Sequence, residues 1–215
     1  MGRAAINGTT KKRTASKQER QSQLIRATVR SVAKNGLADT TMSTVAREAG
    51  LSQGIINLHF QSKDRLLAET LRYITDEYDV CCRKALSAAG PSPAERLEAL
   101  VDVDFKLPVC DRNKLAVWFA FWGESKARPT YRKLCASRDI QYRKELAALC
   151  QLLIKDGGYQ GLDAMVLATG LSAMTEGLWL DLLISPRSMT RKQARDICVA
   201  YLASAFPRHF SVPPM

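Results

Sequence analysis

Apolar positions recur at helical spacing along almost the whole chain. Leu24, Thr28 and Val32 fall four apart, behind "SKQE" at Ser16–Glu19, where serine and glutamate stand at capping-box spacing. Asn35-Gly36 is expected to stop that helix, because glycine enters the left-handed conformation that closes helices at little cost. Ser62 caps a later helix that carries Leu67, Leu71, Ile74 and Tyr78 along one stripe. "SPAE" at Ser92–Glu95 sets a cap, a first-turn proline and a capping glutamate ahead of "RLEALVDVDF". Further helices are predicted in "NKLAVWFAFWGES", after Pro129, in "DAMVLATGLSAMTEGLWLDLLI", and in "TRKQARDICVAYLASAF" behind a Thr190–Gln193 box. Breaks fall at "AAGPSP", "KARPT", "KDGGYQG" and "SPRSMT", and no segment alternates apolar and polar residues as a strand would. The pattern predicts an all-α chain of about nine helices.

Between Gly36 and Ser62 the helices are too short to be stable alone. "STVAREAG" offers Val45, Ala46 and Ala49 as one inner face, and Ile55, Ile56 and Phe60 supply the next after "GLS". Two short helices joined by a tight glycine turn form a helix-turn-helix, whose second helix enters the major groove of DNA. The alanines allow close approach, Gly50 permits the turn and Ser52 can cap the second helix. Gln53 and Asn57 lie one turn apart on a common face, with side-chain amides suited to base edges. Gly54 and Ile55 lie between them, and the glycine lets the backbone approach the duplex. Thr41, Thr44, Ser52, His59 and Lys63 surround that face as candidate phosphate contacts.

Charge supports the same location. Residues 1–65 hold twelve lysines and arginines against four acids, so eight of the net +11 charges of this 215-residue chain lie in its first third. A basic first third on a near-balanced remainder marks a polyanion-binding module joined to something else. Residues 1–15 read as a disordered basic tail, 16–62 as the DNA-binding head and 63–215 as an effector-binding and dimerisation body.

The stretch "VAREAGLSQGIINLHFQSKDRLL" carries a family resemblance. It resembles the N-terminal domain of the TetR family of bacterial transcriptional repressors. The resemblance implies a three-helix head on a six-helix body, an effector site in the body, and a homodimer through the last two helices. Many members carry an aromatic backbone contact where Asn57 stands, so the phosphate clamp here shifts toward His59 and Lys63. The body words "AVWFAFWGES", "RPTYRKL", "GLSAMTEGLWLDLL" and "SMTRKQA" resemble, more narrowly, the BetI-type branch of that family. That branch controls choline-to-glycine-betaine genes, so choline or a related quaternary ammonium is the effector the resemblance implies.

The residues themselves suit a cation. Trp118 and Trp122 are four apart, and Trp179 follows Glu176 by three, so each pair shares a helix face. Aromatic faces attract cations by up to about 2 kcal/mol once desolvated. Glu176, Glu124 and Asp181 are candidate counter-charges, with Tyr131 and Phe105 as further wall. The competing reading makes the same aromatic stripe plain core. The "DAMVLATGLSAMTEGLWLDLLI" helix is apolar on two sides, Leu171, Met174 and Leu178 on one and Ala168, Thr175 and Trp179 on another. Both need cover, which together with Ala194, Ile197, Tyr201 and Ala205 on the last helix predicts a dimer interface.

Other classes fit less well. No nucleophile stands with a base, and neither histidine has a carboxylate at motif spacing, so no catalytic residues and no cofactor are expected. The six cysteines form no C-x-x-C pair and read as small buried apolar residues rather than metal ligands. The longest apolar run near the C-terminus, "LWLDLLI", is cut by Asp181, so a cytoplasmic protein with no membrane partner is expected. A BetI-like regulator with another ligand, and a ligand-independent DNA-binding dimer, remain as alternatives.

Overall fold

The computed structural model describes residues 16–213, and the expected basic tail at 1–15 lies outside the described residues. Nine α-helices and no strands are present among them: α1 Lys17–Asp39, α2 Met42–Glu48, α3 Gln53–His59, α4 Lys63–Ala88, α5 Pro93–Phe105, α6 Arg112–Glu124, α7 Pro129–Gly157, α8 Ala164–Ile184 and α9 Arg191–Ala205. Helix starts follow local chemistry. Ser16, Ser92 and Thr190 each close a reciprocal capping box with Glu19, Glu95 and Gln193. Asp111 and Asp163 accept first-turn N–H groups of α6 and α8. Each such cap stabilises its helix by about 1 kcal/mol.

Two apolar cores result. Leu24 and Ala27 of α1, Val45, Ala46 and Ala49 at α2, Ile56 and Phe60 at α3, and Leu66 of α4 form the smaller one. Val29 and Val32 of α1 and Leu67, Leu71, Ile74 and Tyr78 of α4 belong to the larger, which gathers α5 to α9. The boundary therefore runs through α1 and α4, between Leu66 and Leu67 on the latter. Helices α1 and α4 thus each contribute residues to both cores.

Three expectations change. Gly36 has φ +77 but does not end α1; it kinks it, and helical turns continue to Asp39. The hydroxyl of Thr40 donates to the Gly36 carbonyl at 2.7 Å, which satisfies an acceptor that the kink frees. The helix α8 is long and apolar enough by length and composition to cross a membrane, despite Asp181. In this fold its inner side packs into the larger core through Leu171, Leu178 and Trp179. The two sides of α8 expected at a dimer interface are covered largely within the chain: Ala168, Leu171, Thr175, Leu178 and Trp179 are all buried, and α8 is flanked by α6, α7 and α9. The uncovered face is a third one. Val166, Thr169, Ala173, Gly177, Leu180 and Ile184 recur at steps of three and four and are all exposed.

Candidate functional site

The α2–α3 unit is fixed by its turn. Gly50 has φ +66, and the N–H groups of Gly50 and Leu51 donate to the carbonyls of Arg47 and Ala46 at 3.0 and 2.9 Å. This left-handed closure needs glycine, because a Cβ there would be strained even though space is open around it. Helix α1 holds the turn from behind. Gln23 Nε2 donates to the Ala49 carbonyl at 2.8 Å, and Arg30 Nε pairs with Glu48 Oε1 at 2.6 Å. Ile56 is fully buried beneath α3, which leaves Gln53, Gly54, Asn57 and Leu58 on its exposed side.

The expected DNA contacts sit differently from one another. Gln53, Gly54 and Asn57 face solvent together, whereas Ile55 is half-buried. Thr41 caps α2, and its N–H donates to Thr44 Oγ1 at 2.8 Å, so both hydroxyls help set the helix start. Ser52 occupies the cap position of α3, but its hydroxyl makes no capping bond, contrary to expectation. The first N–H groups of α3 thus have no side-chain cap. His59 is half-buried and its Nδ1 is buried without a partner. Lys63 donates from Nζ to the Ala38 carbonyl at 3.0 Å, tying α4 to the end of α1. Sequence reasoning missed Leu58, which is 77% exposed. An exposed aliphatic side chain beside two amides is the kind of group that can pack against a thymine methyl.

In the body, four rings from four helices converge on one cation, and that cation belongs to the chain. The guanidinium carbon of Arg138 (α7) lies 3.9 Å from the ring centre of Tyr78 (α4), 5.1 Å from Trp118 (α6), 5.5 Å from Tyr142 (α7) and 5.9 Å from Trp179 (α8). Asp104 (α5) anchors the walls. Its carboxylate accepts from Tyr78 at 2.5 Å and Tyr142 at 2.7 Å, and its carbonyl accepts from Trp179 Nε1 at 2.7 Å. Burial pushes the Asp104 carboxyl up to about 6, against the two tyrosine bonds and the Arg138 charge. Glu176 is raised by burial first and by Asp139 next, with Arg138 opposing.

Of the eight residues expected around an effector, Trp118, Glu176 and Trp179 come together here. Trp122 lies tilted beside Trp118 at 5.9 Å but is not among the rings around Arg138. Tyr131 is buried edge-on to Phe121 at 4.8 Å. Phe105 is buried and borders a separate open cleft of about 890 Å³ beside Asp102 and Arg195. Glu124 and Asp181 are exposed and do not reach the box. Tyr78, Asp104, Arg138 and Tyr142 were not expected there. One signal existed: Asp104 stands four residues from Leu100 on the buried stripe of "LVDVDF", and a carboxylate on a core stripe requires partners.

A helix-turn-helix head on an all-helical body with a buried polar box defines the class of helix-turn-helix transcriptional regulators. Residues 24–70 match the bacterial regulatory proteins, tetR family, and residues 93–207 match the BetI-type transcriptional repressor, C-terminal. The chain belongs to the TetR family of regulators, with a BetI-type C-terminal domain. It is 32% identical over 183 residues to the HTH-type transcriptional regulator BetI of Stenotrophomonas maltophilia, covering 85% of this chain and 91% of that one. It is 34% identical to BetI of Burkholderia thailandensis over 161 residues, 75% and 80% of the two chains. A transcriptional regulator of Pseudomonas aeruginosa PAO1 has a similar structure, with TM-score 0.79, 29% identity and coverage of 92% and 97%. A regulator of Saccharomonospora viridis, solved in complex with choline, aligns at TM-score 0.77 and 26% identity over 92% and 100%. These relatives are transcriptional regulators, not enzymes.

Proposed function

We propose that this BetI-like regulator is a cytoplasmic repressor that binds operator DNA as a homodimer and is released by a small organic cation, choline or a related quaternary ammonium. The observation that carries the DNA half is the exposed side of α3, with Gln53, Asn57 and Leu58 around a glycine and a turn locked from behind by Gln23 and Arg30. Amides and one aliphatic side chain discriminate base edges, while Thr41, Thr44, Ser52, His59 and Lys63 position the backbone.

The cation box supports the effector half. Four aromatic faces, the buried Asp104 and the half-buried Glu176 favour positive charge without demanding a hydrogen-bond donor, which a quaternary ammonium lacks. The choline-bound neighbour from Saccharomonospora viridis is consistent with that chemistry. The dimer joins through the bare stripe of α8 from Val166 to Ile184 together with Ile197 of α9. Release is a population shift: a ligand that prefers one arrangement of the body moves α4, and with it the spacing of the two heads.

A titration of choline into the labelled operator complex tests this. Release at millimolar choline with a change in tryptophan fluorescence is expected. Unchanged fluorescence and no release would refute the choline assignment while leaving the regulator intact. The filled box favours a second reading, a BetI-like regulator whose ligand occupies another cleft, such as that beside Asp102 and Arg195.

A further inference from the structure

We propose that Arg138 is a tethered occupant of the cation box, and that a diffusible monocation reaches the aromatic walls only by displacing its guanidinium. The inference rests on treating this box as a cation site, as above. Its first support is the geometry: rings from α4, α6, α7 and α8 all stand within 6 Å of the guanidinium carbon. They enclose it as they would a bound ligand.

The second support is charge. Asp139 on α7 and the buried Asp104 on α5 act on Arg138, and Arg138 in turn lowers the half-buried Glu176 on α8 and the exposed Asp79 on α4 at the rim. Of other cations, Arg83 bears on Asp79 and Arg143 on Glu176 from outside the rings. Taking the guanidinium out leaves an acidic, aromatic-walled hollow, which is the environment that selects a monocation.

Third, the guanidinium is held loosely for a buried arginine. Its NH1 group bonds only to Asp139, the next residue, at 2.8 Å, and its Nε is buried without an acceptor. A structural arginine in a core is ordinarily held by paired, directional bonds to a carboxylate. Here the rings recognise the charge and leave most N–H groups unbonded among the described residues, so another monocation can replace it. A tethered group competes at an effective concentration in the millimolar range. The apparent affinity of a soluble cation is lowered by the fraction of molecules in which the tether holds the box.

The full chain carrying Arg138→Ala tests this with guanidinium chloride and tetramethylammonium chloride at millimolar concentration, against sodium chloride at equal ionic strength. The expected results are a rise in Tm of the variant with guanidinium and none for the parent, and at least roughly tenfold tighter tetramethylammonium binding by the variant, read by tryptophan fluorescence. Phenylglyoxal labelling of the parent supplies a readout that does not depend on the variant folding. Arg138, followed by peptide mass, should label faster when tetramethylammonium is present. A variant indifferent to both cations would overturn the proposal, as would labelling that tetramethylammonium leaves unchanged if the variant does not fold. Indifference of the variant is also what a carboxylate ligand pairing with Arg138 would produce. Cation binding to the variant without any effect on operator affinity would support the occupancy and refute the box as the effector site.

Discussion

At the scale of single residues, Gly54 separates folding from DNA reading. A Cβ at Gly54 meets nothing closer than Ser52 Oγ at 3.8 Å, so the fold has no steric need for glycine there. Glycine inside a helix costs about 1 kcal/mol relative to alanine. Gly54→Ala should therefore hold or raise Tm while weakening operator binding roughly tenfold, because the added methyl stands between helix and duplex. Equal operator affinity would remove the close-approach role. Asp104 gives a second test. Its carboxyl rises on folding from an ordinary 3.8 to about 6. The neutral carboxyl is thus favoured in the fold: its contribution is fully present below about pH 4, falls as pH rises toward 6, and is gone above that. That contribution is on the order of 3 kcal/mol. Urea unfolding of the parent and Asp104→Asn from pH 4 to 7 should show the parent losing stability relative to the variant across that window. Parallel curves would contradict the assignment.

At the scale of elements, the caps and stripes made most helices legible. Ser16, Ser92 and Thr190 announce their helices by local hydrogen bonds, which sequence spacing reports directly. The head was legible for the same reason: Ala46, Ala49, Gly50 and Ile56 are near neighbours whose contacts span one short turn. The box was not. Tyr78, Asp104, Trp118, Arg138, Tyr142 and Trp179 come from five helices, and nothing local distinguishes Arg138 from the other arginines in "YRKLCASRDIQYRKE". Periodicity did not reveal the exposed stripe of α8, since it reports that a helix is apolar on more than one side but not which neighbour covers which side. That face yields a prediction. Leu180→Lys with Ile184→Lys, both exposed in one chain, should leave secondary structure intact and shift the protein to monomer in sedimentation velocity. Operator affinity should fall with it, since each head alone grips one half-site. A double variant that stays dimeric would move the interface elsewhere.

At the scale of the whole molecule, α1 and α4 join two cores, and under the proposed function this is the route from a body ligand to the DNA face. Arg30 and Gln23 hold the α2–α3 turn to α1, Lys63 ties the start of α4 to the end of α1, and Tyr78 further along α4 walls the box. The proposed cation box and the DNA-reading head thus lie along one helix. The effect of ligand on operator affinity must equal the effect of operator on ligand affinity. Selection from random duplex DNA, with the parent and with Asn57→Ala, tests whether α3 reads DNA sequence. The parent should enrich a two-fold symmetric site whose half-sites lie about 34 Å apart or a multiple of it. Asn57→Ala should relax one base pair in each half-site, at a cost of about 1–3 kcal/mol there. Enrichment of no sequence, or an Asn57→Ala profile identical to that of the parent, would contradict the account.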